Sequence, residues 1–232
     1  MVDAEVARNA LRRCVLFCRV DDAGIEACVA TLRARRFRRE ETVFHQGDPG
    51  DALHVVVRGR IKIMLPSPDT NEPAILATLG PGAFFGELAL LDGEPHSASA
   101  VAMEPAETLM LGRDAFDRLL DTQPSLRRAL LEALSAEVRR ITGHVEGLHF
   151  LDLAGRLGRR IGELTAPADG SDGVGERRVP WPYTQGELAG MIGGSRESVN
   201  RILTDFTARG LLRIERDVLV VPDPVALAEA GR

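Results

Sequence analysis

The stretch that decides the fold is Tyr183-Thr-Gln-Gly-Glu-Leu-Ala-Gly-Met-Ile-Gly-Gly-Ser-Arg-Glu-Ser-Val-Asn-Arg-Ile-Leu-Thr-Asp-Phe206. It predicts two short helices joined by a glycine turn. Thr184 is placed to cap the first helix, with Glu187 reaching back as in a capping box. The pair Gly193-Gly194 ends that helix and supplies the backbone freedom that a tight turn needs. Ser195 is then predicted to cap the second helix.

The second helix divides its residues between two faces. One face is apolar at helical spacing and should pack inward; it holds Val199, Ile202, Leu203 and Phe206. The opposite face is polar and holds Arg196, Glu197, Asn200 and Arg201. In a helix-turn-helix, the exposed N-terminal side chains of the second helix meet base edges in the major groove. Because arginine pairs with guanine O6 and N7 and glutamate accepts from the cytosine amine, this face predicts readout of a G/C-containing half-site. An ordinary surface ion pair between Glu197 and Arg201 is the alternative.

Length and charge limit the other readings. The 232 residues suit two modest domains. The sequence has no long uncharged apolar run and no basic segment ahead of an apolar core at its start, so it predicts a cytoplasmic protein without membrane association. The formal net charge of −5 does not suggest a nucleic-acid binder, but binding needs only a local basic face. The arginine excess near the second helix is slight, so we expect affinity to depend on a few placed contacts and on dimerisation.

The order of the elements predicts an α+β fold. Residues 1 to about 35 favour helices, with Asp21-Asp22 opening one of them. From Phe37 to about Leu111, short alternating apolar runs between turn residues indicate an antiparallel sandwich or roll. The clearest turns are residues 45–51 and 67–73. Helical periodicity returns afterwards, with a short helix over residues 114–120.

A long helix is predicted from Pro124 to about Phe150. The second half of its apolar series is typical of a coiled-coil seam, and packing on its own domain is the alternative. Gly143 and Gly147 allow a partner to approach closely, so we interpret residues 124–150 as the interface of a symmetric homodimer. The apolar series is Leu126, Leu130, Leu134, Val138, Ile141, Val145 and Leu148.

Beyond the long helix, Asp152 is predicted to cap a helix over residues 153–164 and to mark the hinge between domains. Residues 165–175 are predicted to form a flexible loop, and residues 210–221 to form two strands about a turn, as in a wing. The last residues are predicted to form a short helix or a tail. The predicted domains are therefore residues 1–112, 113–151 and 152–232.

With these parts in order, the chain resembles the cyclic-AMP receptor protein/FNR (Crp/Fnr) superfamily of bacterial transcription regulators. Two motifs carry the resemblance: Phe85-Gly-Glu-Leu-Ala-Leu-Leu91 is similar to the family's phosphate-binding cassette, and Gly194-Ser-Arg-Glu-Ser-Val-Asn-Arg-Ile-Leu203 to its recognition helix. The resemblance covers nearly all of the chain. It implies an N-terminal β-roll (jelly roll) of the cyclic-nucleotide-binding type, a long dimerisation helix and a C-terminal winged helix-turn-helix. It also implies double-stranded DNA and RNA polymerase as partners.

The resemblance assigns the DNA contacts residue by residue. In the cyclic-AMP branch, an Arg-Glu pair followed four residues later by Arg reads a GTGA-type half-site, and Arg196, Glu197 and Arg201 match all three positions. Two such helices would address a palindrome with half-sites roughly 34 Å apart. Ser195 and Asn200 complete the DNA-binding set on the same helix. Arg213 in the wing would contact phosphates, which position a protein on DNA without specifying sequence.

The effector site matches the family less fully. In the cyclic-AMP branch the cassette offers backbone amides to the phosphate, its glutamate bonds the ribose, and an Arg-Ser pair clamps the phosphate. His96 stands in place of that arginine and cannot form the bidentate fork, and Ile141 lacks the hydrogen-bonding group expected where adenine is met. The identity of the effector is therefore left open: it is a cyclic nucleotide, a different effector, or none. Glu87 has a second interpretation, as a structural carboxylate that holds the cassette. The predicted effector set is Gly86, Glu87, Leu88, His96, Ser97, Ile141 and Thr142.

The cysteines and histidines raise three alternatives. Cys14, Cys18 and Cys28 lie near the N-terminus, as do the iron–sulfur ligands of the oxygen-sensing branch, so a redox- or metal-sensing regulator of the same fold is one alternative. Their spacing differs and a fourth cysteine is missing, so neither a metal site nor an iron–sulfur cluster is predicted. The five histidines lack a ligand spacing, so haem is not predicted either.

The sequence also lacks a nucleophile–base set and a P-loop, which argues against an enzyme. A ligand-binding interaction module without DNA selectivity is the rival function from another class.

Overall fold

The computed structural model describes residues 3–67, 73–166 and 175–230. These residues form two compact units, one built from the chain up to residue 66 together with residues 75–139, and the other mainly from residue 140 onward. Most of the predicted turn at 67–73 and most of the predicted loop at 165–175 lie outside the described residues. Within the described ranges, every helix is too short or too polar to span a membrane.

The first unit begins with two capped helices, α1 (Ala4–Arg13) and α2 (Asp22–Val29). The predicted start at Asp21 is confirmed, because its side chain accepts a hydrogen bond from the Gly24 amide at 2.7 Å. Asp3 caps α1 in the same way, through the amide of Glu5 at 2.9 Å. These caps satisfy amides that a helix start leaves without an intrahelical partner.

The predicted antiparallel roll is confirmed as two four-stranded sheets. The first sheet has the order β1 (Arg33–Phe37), β8 (Ala106–Gly112), β3 (Ala52–Arg58) and β6 (Phe84–Phe85). The second has the order β2 (Thr42–Phe44), β7 (Ser99–Ala102), β4 (Ile61–Leu65) and β5 (Ala74–Leu79). A short helix, α3 (Glu87–Asp92), follows β6 and carries the cassette.

One boundary in this unit was predicted wrongly. The helical region was expected to reach about residue 35, but β1 begins at Arg33 and pairs with β8 at the edge of its sheet. Four of its five residues are exposed. An exposed edge strand has little alternation between apolar and polar residues, so its sequence pattern did not separate it from the preceding helix.

The core of the first unit joins the N-terminal helices to the roll. Its largest buried side chains include Leu11, Phe17 and Phe116. Phe116 comes from α4 (Arg113–Thr122), which extends further at both ends than the predicted helix. The first turns of α5 (Pro124–Phe150) also enter this core through Leu126 and Leu130. The bounds of α5 are those predicted.

The apolar series along α5 changes its environment partway. Leu126 and Leu130 are buried, whereas Val138 is 64% exposed and Ile141, Val145 and Leu148 are also exposed. Packing on its own domain therefore explains the first half of the series only. A methyl group on Gly147 would lie 3.3 Å from Arg159 Nη1, so the close approach at this glycine is made by the same chain.

In the described residues of the second unit, four complete helices and a three-stranded sheet follow the end of α5. The helices are α6 (Leu153–Leu164), α7 (Gln185–Ile192), α8 (Arg196–Ala208) and α9 (Pro224–Glu229). The strands are β9 (Arg177–Pro180), β10 (Arg213–Glu215) and β11 (Val218–Val221), in the order β10-β11-β9. The two-stranded wing was predicted; β9 was not, because its four residues are not buried and show no strand pattern.

Candidate DNA-binding interface and effector site

The helix-turn-helix has the local structure that its sequence predicts. Thr184 Oγ1 accepts a hydrogen bond from the Glu187 amide at 3.2 Å, and Glu187 Oε2 accepts one from the Thr184 amide at 2.8 Å, which completes the capping box. Gly193 has a left-handed φ of 67° at the end of α7, a conformation that glycine adopts without strain. Ser195 caps α8 through the Ser198 amide at 3.2 Å.

The two faces of α8 are also confirmed. Val199, Leu203 and Phe206 are buried, and Ile202 is half-buried. The polar residues of the other face are exposed. Within the part of the chain that the structure describes, the side chains of Arg196, Glu197 and Arg201 have neither an ion-pair partner nor a hydrogen-bond partner. The alternative, an ordinary Glu197–Arg201 ion pair, is therefore not formed.

Asn200 differs from its three neighbours on this face. Its Oδ1 accepts a hydrogen bond from Gln185 Nε2, the first residue of α7, at 2.9 Å. We call the polar face of α8 (Arg196, Glu197, Asn200 and Arg201) its reading face. Gln185 therefore belongs to the same surface as this face. The sequence did not indicate this residue, because the two amides are 15 positions apart and meet only through the packing of α7 on α8.

Two arginines of α6 bond the backbones of two different helices. Arg156 Nη1 donates to the carbonyl of Ile192, the last residue of α7, at 2.9 Å. Arg159 Nη1 donates to the Gly143 carbonyl of α5, also at 2.9 Å. The helix itself starts at the predicted cap, where Asp152 accepts from the Gly155 amide at 2.8 Å. A carbonyl at a helix end needs such a donor, so the bond from Arg156 supports the turn between α7 and α8. The bond from Arg159 joins α6 to α5 instead.

In the wing, Arg213 is engaged by carboxylates, whereas Arg216 is exposed and has no side-chain partner among the described residues. Arg213 donates to Glu215 at 2.7 Å and to Glu176 at 2.9 Å, and Arg178 pairs with the same two carboxylates at 2.6 and 3.3 Å. Both carboxylates have lowered pKa values because of these hydrogen bonds, first from Arg213 and then from Arg178. The predicted phosphate contact of Arg213 would have to compete with this network.

The cassette begins at a glycine that the fold requires. Gly86 has a φ of 86°, and a methyl group there would lie 2.9 Å from the Ala52 carbonyl oxygen. Arg113 supports the other end of α3, where its guanidinium donates to the carbonyls of Leu90, Ala89 and Gly50 at 2.8 to 2.9 Å. Arg113 was not predicted to act here, and its positive charge is engaged with backbone carbonyls.

His96 lies beside the start of the cassette. Its ring is stacked on Phe44 with centroids 3.5 Å apart, and the residue is 8% exposed. A methyl group on Gly50 would lie 3.0 Å from its Cε1. Burial lowers the pKa of His96, although Asp48 and Asp51 act in the opposite direction. The imidazole is therefore neutral near pH 7.

Glu87 is half-buried at the start of α3. Burial raises its pKa, the bond from its own amide lowers it, and the nearby carboxylate of Glu137 raises it further. Leu88 and Ser97 are exposed at the surface. The first unit thus brings together five of the seven predicted effector residues. Ile141 and Thr142 are exposed residues of α5 and belong to the second unit.

The three cysteines have different environments. Cys14 and Cys28 are buried, and burial raises their pKa values to about 11 and about 12. Cys18 is exposed, and its Sγ donates to the Val15 carbonyl at 3.3 Å. A buried thiol with a raised pKa is a poor nucleophile and a poor metal ligand at neutral pH. Across the described ranges, His, Cys, Asp and Glu side chains do not form a group of three or more that could hold a metal ion.

Comparison with known proteins agrees with this organisation. The family model of the cyclic nucleotide-binding domain matches residues 34–123, and that of the Crp-like helix-turn-helix domain matches residues 155–230. The chain is 34% identical to the CRP-like cAMP-activated global transcriptional regulator of Mycobacterium tuberculosis, over 96% of this chain and 98% of that protein. It is 29% identical to the cyclic AMP receptor protein of Thermus thermophilus, over 88% and 91% of the two chains.

A solved structure gives the same result at the level of the fold. The c-di-GMP responsive global regulator CLP of Xanthomonas campestris superposes with a TM-score of 0.71 and 26% identity, over 87% of this chain and 99% of that chain. The predicted β-roll, long helix and C-terminal helix-turn-helix are thus confirmed as one architecture. The chain belongs to the Crp/Fnr superfamily, and it is a DNA-binding transcription regulator.

Proposed function

We propose that this regulator binds as a homodimer to a palindromic GTGA-type site and that a small effector at the β-roll controls its binding. The observation that carries the DNA part is the polar face of α8: Arg196, Glu197 and Arg201 are exposed and have no partner among the described residues, whereas Arg209 at the end of the helix is paired with Asp205. Side chains without partners lose no protein contact when they meet base edges. Arginine then takes guanine and glutamate takes the cytosine amine.

The remaining DNA contacts are assigned by position. Ser195 and Asn200 flank the reading residues on α8. Arg213 serves phosphate contact from the wing, which supplies affinity without sequence preference. The predicted domain bounds of residues 1–112, 113–151 and 152–232 are part of the same proposal.

The proposal of a homodimer is based on the exposed second half of the apolar series along α5. Val138, Ile141, Val145 and Leu148 are each at least 44% exposed, and they recur at the spacing of a coiled-coil seam. A second copy of α5 would cover these side chains and remove apolar surface from water. Such a dimer has the two-fold symmetry that a palindromic site requires.

The effector site favours control by a ligand but fits cyclic AMP poorly at neutral pH. Gly86, Glu87, Leu88, His96 and Ser97 form the proposed site, with Ile141 and Thr142 assigned to it by resemblance. Relatives are named for cyclic AMP. Here the imidazole of His96 is buried and neutral, the guanidinium of Arg113 is engaged elsewhere, and Glu137 adds negative charge near Glu87. A phosphate would therefore meet no permanent cation among these residues.

The other predicted roles stay proposals of the same kind. A regulator of transcription in a bacterium acts in the cytoplasm and on RNA polymerase, and we place this chain there. The redox alternative would depend on Cys18, the exposed cysteine, because Cys14 and Cys28 are buried with raised pKa values.

The decisive experiment is selection from a random DNA pool with the purified full-length protein, with and without cyclic AMP. We expect enrichment of a GTGA-type palindrome. Arg196→Ala should cost about 1–3 kcal/mol of binding free energy on that site and relax one base position. Arg209→Ala is the matched control: it lies at the end of α8 and is paired with Asp205 at 3.2 Å.

Three outcomes separate the alternatives. Selection of the palindrome only in the presence of cyclic AMP supports the nucleotide as the effector. Selection of the palindrome with and without cyclic AMP shows that the nucleotide is not an obligatory signal. No selection in either arm, at any salt concentration, supports the interaction module. If Arg196→Ala lost affinity equally on specific and random DNA, its role in reading a base would be wrong.

A further inference from the structure

The reading face of α8 contains one side chain that is held in place by the protein. Asn200 Oδ1 accepts a hydrogen bond from Gln185 Nε2 at 2.9 Å, across the interface between α7 and α8. In contrast, Arg196, Glu197 and Arg201 have no partner among the residues that the structure describes. The Gln185–Asn200 bond is exposed, so it adds little to folding stability. Its main consequence is to restrict the orientation of Asn200 before DNA arrives.

The bond also restricts the chemistry that Asn200 can offer. A free asparagine amide presents an acceptor oxygen and two N–H donors. The bond from Gln185 takes one of the two lone pairs of Oδ1 and turns that oxygen toward α7. The donors on Nδ2 remain, and in the described ranges they have no protein partner. Bidentate recognition of adenine needs both groups, because Oδ1 accepts from N6 while Nδ2 donates to N7. Guanine presents two acceptors, N7 and O6, and thymine presents O4, whereas adenine presents the single acceptor N7 beside an N6 donor that Nδ2 cannot satisfy.

We propose that Gln185 is a specificity-determining positioning residue, which holds Asn200 so that it meets DNA as a hydrogen-bond donor and selects guanine or thymine over adenine at the base it reads. This inference rests on the proposed DNA-reading role of α8. It adds a residue of α7 to the recognition surface, and it makes the base preference depend on the hydrogen bond between the side-chain amides of Gln185 and Asn200. Neither amide titrates, so the preference is independent of pH.

The test is random-pool selection with the wild-type protein and three variants: Asn200→Ala, Gln185→Ala and the double variant. Asn200→Ala identifies the base position, as the one whose preference it removes. At that position Gln185→Ala should raise the share of adenine relative to guanine and thymine by at least about fivefold, because Asn200 can then form the bidentate pair. The double variant should match Asn200→Ala, since Gln185 acts only through Asn200.

Gln185→Glu gives a sharper second readout. A carboxylate can only accept, so it should engage the Asn200 amide through Nδ2 and leave Oδ1 facing DNA. The preferred base should shift toward adenine or cytosine, which present amine donors. The added negative charge should weaken binding on all sequences alike, and this uniform loss is separable from the change of preference. Gln123→Ala is the matched control, a surface glutamine that bonds Asp21 at 3.3 Å in the first unit.

The results distinguish failure of the inference from failure of the proposed function. A wild-type protein that selects no sequence would remove the DNA-reading role, and the inference with it. A wild-type protein that selects its palindrome, with an unchanged profile in Gln185→Ala or in Asn200→Ala, would overturn the inference alone. A loss of affinity in Gln185→Ala that is equal on all sequences would also overturn it. Equal melting temperatures of the variants show that they are folded.

Discussion

The ring of His96 lies parallel to that of Phe44, with centroids 3.5 Å apart and an angle of 5° between the planes. This stack places a neutral imidazole next to the cassette, at Gly86, whose added methyl group would lie 3.7 Å from His96 Cε1. The imidazole of His96 can gain a positive charge only by taking up a proton. Ligand binding at this site should therefore depend on pH.

Binding of cyclic AMP should strengthen as the pH falls from 8 to 6. Burial lowers the pKa of His96 in the free protein, and a bound phosphate would raise it, so binding takes up a proton. The association constant should rise by up to about tenfold for each pH unit. His96→Arg should bind more tightly and without this dependence, because arginine stays charged. Isothermal titration calorimetry at each pH measures both effects, with His149→Gln as the control.

Equal affinity at pH 6 and pH 8 in the wild-type protein would show that His96 does not meet the phosphate. The same conclusion would follow if His149→Gln, which alters an exposed residue of α5, removed the pH dependence.

The stability of the first unit should fall in mild acid because of His54. This residue is 5% exposed, its Nδ1 lies 3.1 Å from Thr108 Oγ1, and burial lowers its pKa to about 4. Between that value and the ordinary value near 6.5, the unfolded state binds a proton that the folded state does not. Stability is therefore complete above about pH 6.5 and declines toward pH 4, by on the order of 3 kcal/mol.

Urea unfolding at several pH values measures this decline. His54→Gln should be less stable at pH 7, because it changes a buried contact, but its stability should change less between pH 7 and pH 4. Parallel curves for the two proteins would contradict the assignment to His54.

Release of the wing arginines should tighten DNA binding without changing its specificity. Glu176 and Glu215 together engage Arg178 and Arg213 at 2.6 to 3.3 Å. The variant Glu176→Gln with Glu215→Gln removes both negative charges from the network. Its affinity should rise on specific and random DNA alike, and the slope of log K against log salt should steepen by about 0.9 for each new phosphate contact.

Titration of labelled DNA at several salt concentrations measures that slope. Asp205→Asn, which releases Arg209 at the end of α8, is the control and should have a smaller effect. An unchanged slope in the double variant would mean that Arg178 and Arg213 do not reach the phosphates.

Charge on the exposed seam of α5 should dissociate the homodimer. Val138 is 64% exposed, and a partner helix would bury it. Val138→Asp should therefore shift the protein toward monomer in sedimentation velocity, because an unpaired carboxylate at the interface is costly to bury. Val225→Asp changes a valine with 65% exposure in α9 and should leave the assembly unchanged. A wild-type protein that is already monomeric would contradict the proposed interface.

The sequence determined the local parts of this protein. The capping box of Thr184 and Glu187, the left-handed turn at Gly193 and the bounds of α5 follow from signals within a few residues, because caps and turns depend on groups that are close in the chain. The two faces of α8 follow from helical periodicity in the same way. The family and its architecture could be inferred once these parts stood in order.

Tertiary structure alone decided the environment of the side chains that carry function. β1 and β9 are exposed strands without a periodic pattern, and they form because β8 and β11 offer them hydrogen-bonding edges. The stack of His96 on Phe44, the pairing of Arg213 with Glu176 and the bond between Gln185 and Asn200 join residues that are distant in sequence. A side chain's charge, pKa and free donors depend on such neighbours, and the chain brings those neighbours together only when it packs.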